Sequence, residues 1–210
     1  MVIESELNDP ELNDPELNSP ELNSPEFDVP DPVSFEEAIA LTQALLDNLE
    51  QGKVSELTLK QTVRDLVNSE NGARGFFVTY LSDERAFIDE CIPAVVEGLT
   101  ASPEVVSPLL VKNLAMSTAM AITHRRNQQE AMAKGSDRVR SRTARLIQAL
   151  SFPQLQEQAN QLTESIDTGA GHYQSFLERW GYDDEQKRAI YVALQQIGLA
   201  QDYGFNQLQD

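Results

Sequence analysis

From Phe35 onward, apolar residues return every three or four positions, a period that predicts one helix after another. Phe35, Ile39, Thr42, Leu45, Leu46 and Leu49 share one face until Gly52 interrupts the run. Ser34 with Glu37 three residues later reads as a capping box at the front of that helix, and Val33 as its hydrophobic staple. A second run, Leu59, Val63, Leu66 and Val67, is expected to stop near Asn71-Gly72. The stretch from Gly75 to Leu81 has the composition of a strand, yet Phe76, Phe77, Tyr80 and Leu81 fit one helical face. A lone strand would leave its backbone groups unpaired, so helix is the expectation.

Phe87, Ile88, Cys91, Ile92, Val95, Val96 and Leu99 form the next seam, read as one helix that Pro93 kinks. Ser102-Pro103 or Ser107-Pro108 opens the longest run, which is apolar nearly all round from Leu109 through Met120 to Ile122. Its small residues Ala115, Ser117, Ala119 and Ala121 allow neighbours to approach closely, so this helix is expected at the centre of the fold. Past Gly135, with Ser136 as the expected cap, Val139, Thr143, Leu146, Ile147 and Leu150 mark an inward arc. Leu155, Ala159, Leu162 and Ile166 follow, ending at Asp167-Thr168-Gly169-Ala170-Gly171; Tyr173, Phe176, Leu177 and Trp180 make a short aromatic face. Ile190, Leu194 and Ile197 line a last helix, capped by Asp183 or Asp184 and broken by Gly204. The pattern predicts an all-α fold, a single bundle of seven or eight helices over residues 33–204, with 205–210 as a C-terminal tail.

Residues 1–32 follow a different rule. ELNDP, ELNDP, ELNSP and ELNSP run from Glu6 to Pro25, and the degenerate EFDVP follows. Proline at every fifth position forbids helix propagation, and little more than one coil of a pentad solenoid would fit in so short a stretch. With one Leu per unit, ten acids and no base, the stretch has too little apolar surface to offset its ordering entropy. It is expected to be a disordered acidic arm, either a docking segment or a linker lengthened by repeat expansion. Ser19 and Ser24, each followed by Pro, carry little information about modification.

The formal net charge of −18 argues against general affinity for a polyphosphate. That charge is segregated: residues 101–150 hold eight bases against three acids, while every other region is acidic. On a helical wheel Lys134, Arg138, Arg142 and Arg145 fall within about 80° of one another, and Arg125 and Arg126 precede them. This basic flank is the expected binding surface for a partner protein with an acidic face, or for the acidic arm itself; nucleic acid would have to bind here locally. The aromatic segments offer a second site, an apolar cavity lined by Phe76, Phe77, Tyr80, Tyr173, Phe176 and Trp180, as in a small-molecule sensor.

Evidence for catalysis is thin. Asp167-Thr168-Gly169 matches the nucleophile loop of aspartic proteases, but it follows a helix and reads as a glycine stop rather than one half of a carboxylate pair in a β-rich frame. His124 and His172 lack the i+3 or i+4 ligands that a zinc site needs, and no nucleotide, nucleophile-elbow or calcium motif is present. No cofactor and no metal are expected, and a non-enzymatic adaptor, assembly or regulatory role is favoured. The lone Cys91 is expected to be a small core hydrophobe in a reducing compartment. The N-terminus has no basic region followed by an apolar run, and Lys112 interrupts the most apolar stretch, so a cytoplasmic protein without a membrane span is the expectation.

Overall fold

The computed structural model describes residues 27–89 and 92–200. Among them are nine α-helices and no strand: α1 (Phe35–Glu50), α2 (Glu56–Leu66), α3 (Glu70–Ser82), α4 (Pro93–Leu99), α5 (Pro103–Arg126), α6 (Glu130–Leu150), α7 (Pro153–Thr168), α8 (Gln174–Trp180) and α9 (Asp184–Gln196). The fold is all-α as expected, with nine helices instead of seven or eight. Most of the pentad arm, Cys91 and Gly204 lie outside the described residues. Phe27 and Val29 already pack against the core, ahead of the boundary expected at residue 33.

Proline chemistry sets two of the helix boundaries. The seam from Phe87 to Leu99 is divided between a short 3₁₀ turn, Ala86–Asp89, and α4, where Pro93 occupies the first turn. A first-turn proline loses no helical hydrogen bond, so starting a new helix costs less than kinking an old one. The same economy selects Ser102-Pro103 as the start of α5, which then runs through Pro108. α6 runs unbroken through Gly135 and Ser136, which corrects the expected cap there. A Cβ at Gly135 would meet nothing within 4 Å, so this glycine costs only its helix propensity, about 1 kcal/mol. α2 ends at Leu66, and Ser69 caps α3, so Gly72 lies inside a helix rather than at a stop.

α5 is the central rod. Ten of its residues are buried, among them Leu110, Val111, Leu114, Ala115 and Ala119, and it packs on α3, α6, α7 and α9. By length and composition it is the one helix among the described residues able to cross a membrane; here 56% of its most apolar window is buried inside the fold. α1 crosses α3 and α2 packs on α4 to form the N-terminal half, whose core holds Leu45, Leu46, Phe76, Phe77 and Tyr80. Phe76 stacks on Tyr80 at 5.2 Å and meets Phe77 edge-on at 5.4 Å.

Two capping boxes anchor the ends. Ser34 accepts from the Glu37 N–H while Glu37 accepts from the Ser34 N–H, as the sequence pattern requires. Asp183, not Asp184, caps α9, with Gln186 as the reciprocal partner. The buried Gln186 amide also donates to the Ala119 carbonyl at 3.0 Å and the Thr123 hydroxyl at 2.8 Å, which fixes α9 on α5.

Both boxes depend on a carboxylate. The Ser34 hydroxyl, and then its backbone N–H, hold Glu37 below its ordinary value of 4.5; the Arg126 guanidinium, and then the Gln186 N–H, hold Asp183 below 3.8. A carboxylate depressed by folding contributes its stability above its unfolded pKa and loses it as pH falls through the folded value. The melting temperature should therefore stay level from pH 7 to about 5 and fall below about 4. Asp183→Asn, which keeps a capping oxygen, should make that acid limb shallower; a Tm-versus-pH profile that superimposes on wild type would refute the assignment.

Candidate functional site

The basic flank is met by the molecule's own acids and carbonyls. Arg125 pairs with Asp137, Arg126 with Asp183 at 2.5 Å and with Glu185, and Arg138 with Glu84 at 3.4 Å. Arg145 donates to the Asp89 backbone carbonyl. Exposed pairs of this kind contribute little stability, but they lower the local potential that an acidic partner would feel. Lys134 is exposed and forms no ion pair among the described residues.

Arg142 departs furthest from the expected role. It is 2% exposed, and its Nη1 donates to the carbonyls of Tyr80 (3.4 Å), Leu81 (3.2 Å) and Asp83 (2.6 Å), its Nη2 to Arg85 (3.2 Å) and its Nε to the Asp89 carboxylate (2.8 Å). The last carbonyls of a helix lack intrahelical donors and carry the negative end of its dipole. Arg142 thus closes the C-terminus of α3 from across the fold and is unavailable to a partner. A helical wheel places it on the flank but does not reveal that a helix end faces it.

The aromatic segments separate into two groups. Phe76, Tyr80 and Tyr173 are core residues; the Tyr173 hydroxyl donates to Gln158 at 2.6 Å, and burial pushes its pKa up. Phe77, itself buried in the core, lines with Phe176 and Trp180 a groove of about 670 Å³ where α3, α5, α6 and α8 meet, with the N-terminus of α1 at its edge. Leu81, Leu109, Met116 and Val139 complete the apolar lining. Val78 and Trp180 remain 50% and 44% exposed there, two of the few large hydrophobic side chains facing solvent.

Three cations border this groove: Arg74, Lys112 and Arg179, with Glu70 the sole acid among the lining residues. None of the three makes an ion pair or hydrogen bond among the described residues. Arg74 lies 5.3 Å over the Phe35 ring and Lys112 5.8 Å over Tyr173, contacts that orient the side chains and leave their charge uncompensated. On a chain this acidic, a locally positive apolar trough is the feature that charge balance does not explain. Sequence reasoning missed these cations because they come from three helices; the only signal was Lys112 within an otherwise apolar run.

A larger cleft, about 850 Å³, lies between α1 and the end of α3, lined by Asp47, Asp83, Glu84 and Arg85. Arg85 already pairs with Asp47 at 2.6 Å and Asp83 at 3.4 Å, so this cleft presents net negative charge to an incoming acid. Asp167 and Gly169 form the last turn and left-handed cap of α7, as the glycine-stop reading requires. Among the described residues no group of three His, Cys, Asp or Glu side chains is placed to hold a metal ion.

Comparison with curated proteins and with solved structures finds no match. One family profile does match, over residues 34–197, which takes in all nine helices, and on that match the chain belongs to the family described as Uncharacterised conserved protein UCP020893.

Proposed function

We propose that this protein is a non-enzymatic helical interaction factor that docks an acidic, amphipathic segment of a partner protein. The groove between α3, α5 and α8 supports this reading better than the arginine flank does. The observation that carries it is the placement of Arg74, Lys112 and Arg179, without ion-pair partners among the described residues, around an apolar floor that exposes Trp180. Such a surface complements a peptide carrying carboxylates on one side and aliphatic side chains on the other. Tryptophan and arginine are also the residues most often found at the energetic centre of an interface.

The test is capture from source-cell extract by the full chain and by a triple variant, Arg74→Glu, Lys112→Glu and Arg179→Glu. The variant is expected to lose the wild-type partners, whereas Lys134→Glu with Arg138→Glu on the flank retains them. Equal recovery by the groove variant and wild type would refute the reading. A second reading, a sensor of a small anionic amphiphile, draws on the four aromatic side chains that line the same groove, Phe35, Phe77, Phe176 and Trp180. Native mass spectrometry of protein from its source cells would show a retained mass, and its repeated absence would count against that reading.

A further inference from the structure

Phe27 packs against the core, and Phe35, eight residues on, lines the groove. The last of the four pentads ends at Pro25. Ten residues of chain reach at most about 35 Å when fully extended and twenty-nine about 100 Å, so the nearest pentad is tethered within about 35 Å of Phe35 and the farthest within about 100 Å. Each pentad brings one Leu with one or two carboxylates, and none brings a base. That is the complement of a trough with three cations, one acid and exposed apolar side chains. Proline at every fifth position also prevents the units from satisfying their own backbone as a helix.

We propose that the acidic pentads, residues 6–25, dock in the α3/α5/α8 groove and compete there with the acidic partner, so that the arm sets the threshold for partner binding. This inference rests on the reading of the groove as an acidic-segment site and adds its regulation. Repetition has a use in this arrangement. Any of four near-identical units can occupy the site, so occupancy depends on their summed local concentration rather than on one register. A short tether gives an effective concentration in the millimolar range, so a unit with a Kd of about 1 mM would fill the groove more than half of the time. A free partner displaces the arm only when the ratio of its concentration to its own Kd exceeds that of the arm's effective concentration to the unit's Kd, so a partner at about 1 μM would have to bind about a thousandfold more tightly than one unit.

The single tryptophan of the chain, Trp180, stands in the groove and reports on it directly. Its acrylamide quenching is measured in the full chain and in a full-length variant with Leu7→Ser, Leu12→Ser, Leu17→Ser and Leu22→Ser. In low salt the variant is expected to quench about twofold more efficiently than wild type, in proportion to the occupancy lost. About 1 M salt, which shortens the screening length to about 3 Å, should bring wild type up to the variant. A synthetic two-pentad peptide, added in millimolar excess to the variant, should restore protection. Identical quenching of the two chains in low salt would overturn the inference. If the peptide protects Trp180 in that case, the groove remains an acidic-segment site that the arm leaves open; if the peptide does nothing at any concentration, the reading of the groove fails as well.

Discussion

Replacing Arg142 with Ala should cost about 3–5 kcal/mol, the range for breaking a buried, fully bonded charge site. That is a fifth or more of the stability of an ordinary domain. The loss has two sources. The carbonyls of Tyr80, Leu81, Asp83 and Arg85 lose their shared donor; the Arg85 carbonyl keeps the Ile88 N–H at 3.3 Å, while a buried acceptor left without any donor costs about 1–3 kcal/mol before relaxation and water entry. Asp89 also loses its 2.8 Å partner, a smaller effect because that carboxylate is half exposed. Arg142→Lys should recover only part, since one ammonium cannot span acceptors that a planar guanidinium reaches from both edges. Lys134→Ala, on the same helix, should stay within about 0.5 kcal/mol of wild type. Urea unfolding of the three variants decides the matter: an Arg142→Ala midpoint indistinguishable from that of Lys134→Ala would show that the clasp contributes nothing.

Gly75→Ala is the second large effect, and propensity alone predicts the wrong sign for it. Alanine is favoured over glycine inside a helix by about 1 kcal/mol. At Gly75, however, a Cβ would sit 2.5 Å from the Ala38 Cβ, 2.8 Å from the Phe35 carbonyl oxygen and 3.1 Å from the Ile39 nitrogen. Two of these three neighbours are backbone of α1, so no side chain can rotate away, and the α1–α3 crossing must open. Overpacking of this kind costs about 1–3 kcal/mol, and here it should outweigh the propensity gain to leave a net loss of about 2 kcal/mol. The displacement would also separate Arg74 from Phe35 at the rim of the groove, so affinity for an acidic peptide should fall with stability. A stabilised Gly75→Ala protein would mean that the two helices are not in contact at this point.

These two residues show what the sequence disclosed and what it did not. Local rules carried well: the Ser34–Glu37 box, the αL stop at Gly169 and the helical reading of the Phe76–Leu81 stretch all hold, because each depends on residues within one turn. Asp183 with Gln186 three residues later is the same box in another spelling, and it identifies the cap of α9 where both Asp183 and Asp184 had seemed eligible. Boundaries failed where two local rules competed. Pro93 can kink a helix or begin one, and Gly135 can end a helix or be tolerated within it; packing decides, and packing is not local. The basic flank failed for a further reason. Periodicity assigns Arg142 an azimuth, but its burial depends on the end of α3, some 60 residues earlier in the chain. The groove was half legible: its aromatic wall lies in two recognisable segments, while its cations are scattered singly over α3, α5 and α8.

The Arg142 clasp bears on how the chain can be made and cut. Its bonds join positions 53 to 62 residues apart, so although the turn after α3 has local bonds such as Arg85 N–H to the Asp83 carboxylate, the Leu81 and Asp83 carbonyls wait for a donor from α6. During synthesis, the first four helices can collapse around their own apolar faces, but that half reaches its final form only after α6 has left the ribosome. A fragment ending at α4 should accordingly be molten and prone to self-association, and the shortest piece able to mature would have to extend past residue 142.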